Sequence, residues 1–164
     1  MKIDMVHIRN ANSDDIPVLS RLIRDSFRDV AERFGLTSEN APKHPSNCTE
    51  EWIENDLARG VEYFILEADG APQGCVAMEK AAPDICYLER LAVLPESRRK
   101  RFGTALVERV FLRAKALGTG QIGIGIIAAQ TELKLWYKKL GFEEMETKAF
   151  AHLPFLVTFM TCRL

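Results

Sequence analysis

Between residues 91 and 106 the chain reads Leu91-Ala92-Val93-Leu94-Pro95-Glu96-Ser97-Arg98-Arg99-Lys100-Arg101-Phe102-Gly103-Thr104-Ala105-Leu106. An apolar run halts at a proline, four consecutive cations follow, and small residues then open a helical pattern. The first turn of a helix has backbone N–H groups with no intrahelical partner, at the positive end of its dipole. Such an end binds anions, a diphosphate above all. Gly103 lets the backbone come close to such a ligand, and Arg98, Arg99, Lys100 and Arg101 surround it with positive charge. The same four cations also fit a solvated helix start or a weak nucleic-acid patch. Choosing between these readings takes a second signal.

That signal lies downstream, in Gln130-Thr131-Glu132-Leu133-Lys134-Leu135-Trp136-Tyr137-Lys138-Lys139-Leu140-Gly141-Phe142. The stretch between Gly103 and Gly141 has room for one helix and one strand. With both segments in this order, the chain resembles the GCN5-related N-acetyltransferase (GNAT) family. That family has an Arg/Gln-x-x-Gly-x-Gly/Ala turn between a strand and a helix, and later an Asn-x-x-Ala-x-x-Leu-Tyr-x-Lys-x-Gly-Phe helix. Here Arg101 stands at the first glycine and Gly103 keeps the second; Gln130 replaces the asparagine and Leu133 the alanine. Leu91-Ala92-Val93 and Pro95 sit in the family's usual places. The match is sharp over 85–142 and rests on element order elsewhere.

The resemblance implies an enzyme that moves the acetyl group of acetyl-coenzyme A onto a primary amine of a small molecule or peptide. It implies that Arg98, Arg99, Lys100, Arg101, Phe102, Gly103, Thr104 and Ala105 cradle the pyrophosphate. Leu91, Ala92 and Val93 then bind the pantetheine and polarise the acetyl carbonyl through backbone groups left free where the strand splays from its neighbour. Gln130 joins the cofactor-binding set. Tyr137 takes the place of the family's general acid, protonating the leaving thiolate. Its spacing alone equally fits a ring packed beneath the sheet with one hydrogen bond.

The attacking amine must also lose a proton, and a carboxylate with a raised pKa does this. Glu89 is the first candidate because strict alternation puts it on the same strand face as Leu91 and Val93; Glu79 is the second. An ion pair at the strand edge is the alternative for Glu89. Gly123 and Gly125 share one face of their strand, where a backbone, the cofactor or a packed helix can approach. A non-catalytic acyl-coenzyme A sensor is the rival to the enzyme reading. Family members are often dimers, so a homodimer is an option the sequence leaves open.

These residues need a scaffold, and hydrophobic periodicity outlines it. A short strand at 7–9 precedes a helix over 13–34, with Ser13 as its N-cap and Gly35 as its stop. A loop over 36–48 leads to a helix capped by Thr49 and ended by Gly60. Strands follow at 62–68 and 73–80, joined by the hairpin signal Asp69-Gly70-Ala71-Pro72, and another runs over 85–94. A helix over 103–117, a strand over 121–129, a helix over 131–140 and strands over 142–149 and 156–163 complete the order. This is a mixed α/β (α+β) pattern around one sheet in a single domain over 1–164; the resemblance implies a mostly antiparallel sheet flanked by helices, the acyl-CoA N-acyltransferase (GNAT) fold.

Composition narrows the setting. The 164 residues are 47% hydrophobic and 27% charged with a net charge of -1, which disfavours a dedicated nucleic-acid partner. The longest apolar stretch, near Ile122–Ala129, is too short to span a membrane. No apolar signal core follows Met1, so a cytoplasmic location is expected. Cys48, Cys75, Cys86 and Cys162 lack metal or redox spacing and read as small core residues. His7, His44 and His152 are too scattered for a metal, and none is expected. The loops Lys43–Asn47 and Phe150–Phe155 are the candidates for acceptor specificity, with either histidine read more readily as solvated than as a contact.

Overall fold

The computed structural model describes residues 5–164; Met1–Asp4, part of the segment read for an export signal, lie outside them. A seven-stranded sheet runs in the order β1-β2-β3-β4-β5-β7-β6. Its strands are β1 Val6–Asn10, β2 Glu62–Ala68, β3 Ala71–Ala82, β4 Ile85–Val93, β5 Gln121–Ile127, β6 Glu143–Lys148 and β7 Val157–Arg163. Every neighbouring pair is antiparallel except β4 and β5. The helices are α1 Ile16–Phe34, α2 Glu50–Ala58, α3 Phe102–Ala116 and α4 Thr131–Lys139.

Two cores, one on each face, hold the helices to the sheet. Leu19, Leu22 and Ile23 of α1 and Ile53 of α2 pack on Tyr63, Ile65, Cys75 and Ala77. Leu106, Val107 and Val110 of α3 and Tyr137 of α4 pack on Phe64, Leu66, Val76, Ile122 and Ile124. Strand β2 alternates between them, so its apolar run is buried on both faces. Removing such side chains from water contributes about 2 kcal/mol each. All four cysteines are buried and unpaired, as core residues.

Local chemistry sets the element ends. Thr49 caps α2 as expected, its hydroxyl accepting from the Trp52 N–H at 3.3 Å. The side-chain cap is Asn12, not Ser13, and it serves the turn ahead of α1, whose own N-cap is Asp15. The Asn12 side chain accepts from Asp14 N–H at 2.8 Å, and the Asp15 carboxylate accepts from Asn12 N–H at 2.9 Å. This reciprocal box closes a short 3₁₀ turn, Ser13–Asp15, before α1 proper. The β2–β3 hairpin turns on Asp69 and Gly70, at φ 53° and 81°. A two-residue hairpin loop requires that left-handed pair.

Candidate active site

Strands β4 and β5 pair only at their starts, Ile85 with Gln121, Cys86 with Ile122 and Tyr87 with Gly123. Beyond that they part, and a cleft of about 780 Å³ opens between Leu88–Leu91 and Ile124–Ile127. Along the cleft β4 also carries a bulge. Cys75 of β3 faces Ala92 while Ala77 faces Glu89, so β4 carries one extra residue between those positions. Arg90 takes the strain there, at φ 51°. Gly74 sits beside the bulge, and a Cβ on it would stand 2.6 Å from the Ala92 carbonyl oxygen. A glycine is what the close approach of these strands permits.

The bulge overturns one sequence expectation. Glu89 lies opposite Ala77, on the α1–α2 face of the sheet. Leu91 and Val93 pack toward the α3–α4 core, whereas Ala92 is 1% exposed in the α1–α2 core. Glu89 therefore does not share a face with Leu91 and Val93, because an extra residue inverts a period of two. Ala92 can offer a ligand only its backbone.

Glu89 and Tyr137 both line the cleft. Burial, the negative charge of Glu79 and that of Asp56 push the Glu89 carboxyl up to about 7, against the opposing pull of Arg90. Glu79 itself is tied to Arg59 Nη1 at 3.0 Å. Tyr137 is 4% exposed, wedged edge-on between Trp136 at 4.9 Å and Phe142 at 5.3 Å. Burial raises its phenol pKa well above the ordinary value, so the group stays protonated. Its hydroxyl has no hydrogen-bond partner among the described residues, and the residue lines the cleft. The ring packs as a core residue does, and the O–H remains available to whatever enters the cleft.

Arg90 is a site residue that the motifs do not announce. Its Nη1 donates to Asp56 of α2 and to the Tyr63 hydroxyl, and its guanidinium lies 5.4 Å from the Trp52 ring. Asp56 also accepts from Tyr63 at 2.5 Å and from Arg59 at 2.6 Å. This buried network pins the bulge to α2. The one trace in the sequence is an arginine inside an apolar strand.

At the far end, α3 starts as an anion site should. Its N-terminus has no side-chain cap, and Arg99 and Arg101 precede it at φ 67° and 64°. Arg101 occupies in left-handed form the position where the motif places glycine. Left-handed residues ahead of a free helix end turn successive N–H groups inward as a nest. Arg99, Lys100 and Arg101 are exposed around it. A free helix end ringed by exposed cations has the chemistry to hold a diphosphate. Gln130 precedes α4 and lines the cleft with no capping bond to hold it.

Two further expectations change. The Arg98 guanidinium is committed to the protein: Nη1 to Asp29 at 2.6 Å, Nη2 to the Ser26 carbonyl at 2.6 Å and Nε to the Val93 carbonyl at 3.1 Å. It braces the end of β4 against α1, and it occupies the Val93 carbonyl that was expected to be free. Gly103 makes room for Trp136, which a Cβ would meet at 3.3 Å. Gly123 and Gly125 likewise accommodate side chains of flanking strands, Tyr87 and Phe159. Thr104 and Ala105 follow Gly103 in the first turn of α3, half-buried, and Phe102 is buried beneath it.

Parts of the two loops expected to set acceptor specificity reach the cleft. Pro42–Pro45 and His152, Leu153 and Phe155 line it opposite Phe27 and Val30 of α1. His44 is buried rather than solvated, at 8% exposure. Among the described residues no helix is long and apolar enough to cross a membrane.

Comparison with known proteins gives a family match over residues 59–144, to the acetyltransferase (GNAT) domain. The chain is 30% identical over 139 residues, 84% of its length, to the amino-acid acetyltransferase of Neisseria meningitidis, and it spans 27% of the length of that relative. Its fold matches that of the PaiA N-acetyltransferase of Thermoplasma acidophilum in complex with coenzyme A, with a TM-score of 0.80 at 19% identity over 98% of this chain and 99% of that one. The N-acetylglutamate synthase of Neisseria gonorrhoeae, complexed with coenzyme A and N-acetyl-glutamate, matches with a TM-score of 0.69 at 25% identity, over 99% of this chain and 36% of that one.

Proposed function

Because the chain belongs to the acetyltransferase (GNAT) domain family, we propose that it transfers the acetyl group of acetyl-coenzyme A directly to a primary amine. The observation that carries this reading is the cleft through the splayed sheet, with a near-neutral carboxyl and a protonated phenol on its walls. Acetyl-coenzyme A supplies an acetyl thioester, which an amine attacks once it is uncharged. Glu89 takes the proton from the incoming ammonium, a task suited to a carboxyl whose pKa lies near 7. Tyr137 gives its proton to the departing sulfur. Backbone N–H groups of Leu91 and Val93, on the edge of β4 that β5 leaves, orient and polarise the acetyl carbonyl. The nest at Arg99–Thr104 anchors the diphosphate, while Arg98 holds the turn in place.

The acceptor is a small amine or the amine of a peptide. The Neisseria meningitidis relative carries the name amino-acid acetyltransferase, which makes amino acids the first class to try. The test is calorimetric titration with acetyl-coenzyme A and with a dephosphorylated analogue, followed by thiol release in the presence of an amine panel. Binding that weakens without the phosphates, and thiol release that depends on an amine, are the expected results. An absence of binding overturns the proposal.

A further inference from the structure

The acceptor side of the cleft is assembled from segments far apart in the chain: α1, the Pro42–Pro45 loop and the loop between β6 and β7. Its walls there are apolar, with Phe27, Val30, Leu153 and Phe155 prominent. Glu89 is the only carboxylate that lines the cleft among the described residues. One ammonium therefore finds a partner, and a second does not.

His44 breaks the apolar surface. Its Nδ1 accepts from the Ser46 N–H at 3.3 Å and lies 2.8 Å from the Ser46 hydroxyl. With Nδ1 acting as acceptor, the neutral ring carries its proton on Nε2. Phe27 holds the ring edge-on, with centroids 5.8 Å apart. Burial keeps the imidazole neutral, lowering its pKa to about 4. Among the described residues Nε2 has no hydrogen-bond partner, and His44 lines the cleft. A donor so buried is costly to leave unpaired, and a bound oxygen satisfies it.

We infer that the acceptor is an amine on an apolar body that also carries a carbonyl or carboxylate oxygen, with His44 Nε2–H donating to that oxygen while the amine meets Glu89. This rests on the acetyl-transfer reading and narrows its substrate class. Lys43, exposed beside His44 at the cleft, adds positive charge that favours a carboxylate over a neutral carbonyl. Polyamines and sugars bearing several ammonium groups are disfavoured, as are amino acids with charged side chains.

The experiment compares kcat/KM for phenylalanine, phenylalanine amide, phenethylamine, glutamate and spermidine, with acetyl-coenzyme A binding measured by calorimetry on the same preparations. The phenylalanine pair are expected to exceed phenethylamine by about tenfold or more, the ratio set by one hydrogen bond. The acid and the amide separate the carboxylate from the carbonyl as the favoured oxygen. His44→Ala is expected to lower kcat/KM for the phenylalanine pair about tenfold more than for phenethylamine, and His44→Gln, which restores an N–H donor, to recover part of that difference. Preference for phenethylamine, glutamate or spermidine overturns the inference, as does a His44→Ala loss that is equal for all amines. Binding of acetyl-coenzyme A without acetylation of either phenylalanine compound also overturns it and leaves the acetyltransferase reading intact. A lack of acetyl-coenzyme A binding removes both.

Discussion

Glu89 and Tyr137 line one cleft from opposite faces of the sheet: Glu89 beside Ala77 over the α1–α2 core, Tyr137 within the α3–α4 core. They can address the same reacting centre only because β4 and β5 part after Tyr87 and Gly123. In the proposed reaction an amine would arrive from one face and a thioester from the other, with a proton acceptor and a proton donor on separate sides.

If Glu89 is the base of the proposed reaction, activity depends on pH. Its carboxyl, pushed up to about 7, is protonated and inert as a base below that value. The kcat/KM profile is therefore expected to rise with pH through an inflection near 7. Glu89→Gln is expected to remove the inflection and about 10²- to 10⁴-fold of the rate. The stability sign is opposite. The folded-state pKa is raised above the ordinary carboxylate value, so the stabilisation from the neutral acid is full at acid pH and is lost as pH rises toward 7. With allowance for its partial exposure, Glu89→Gln should gain about 1 kcal/mol over wild type at pH 8, read from chemical denaturation. A flat pH–rate profile excludes Glu89 as the base.

Tyr137→Phe tests the acid. The hydroxyl has no protein hydrogen bond to lose among the described residues and the ring packing is retained. Melting temperature and acetyl-coenzyme A affinity are expected to stay close to wild type, while kcat falls about 10²-fold or more. A variant that turns over normally rules out the acid role.

Arg98 and Lys100 should separate bracing from ligand attraction. Arg98→Ala removes the contacts to Asp29, the Ser26 carbonyl and the Val93 carbonyl. A loss of about 1 kcal/mol in stability, discounted for exposure, and weaker coenzyme binding are expected together. Lys100→Ala leaves stability unchanged and reduces the salt dependence of coenzyme binding, since an exposed cation acts through a screened field. Equal melting temperatures for the two variants contradict the bracing role.

Gly74→Ala forces a Cβ to within 2.6 Å of the Ala92 carbonyl oxygen. Either β3 shifts or the bulge at Arg90 gives way, at about 1–3 kcal/mol. The expected outcome is a lower denaturation midpoint together with reduced turnover, because the bulge sets where Glu89 and Arg90 stand on the cleft wall. Gly103→Ala meets only the edge of the Trp136 ring at 3.3 Å and should be milder.

Much of this was legible in the chain because it is local. The strand, basic turn and helix of 85–117 and the Trp136–Phe142 helix end follow from contiguous residues whose periodicity, turn chemistry and capping agree. So do the hairpin at Asp69-Gly70, the cap at Thr49 and the order of elements, and with them the likeness to acetyltransferases. What the sequence left to the tertiary structure depends on partners far along the chain. The face that Glu89 takes is decided by a mismatch in length between β3 and β4, absorbed at Arg90 and held by Asp56 and Tyr63 on other elements. The cations at 98–101 look alike in sequence, yet only Arg98 has Asp29 of α1 within reach. His44 reads as a loop residue until Phe27 packs against it and the cleft forms beside it. Strand alternation and helix capping are short-range physics that a sequence expresses directly, whereas a bulge, a brace or a buried donor exists only once distant segments compete for the same space.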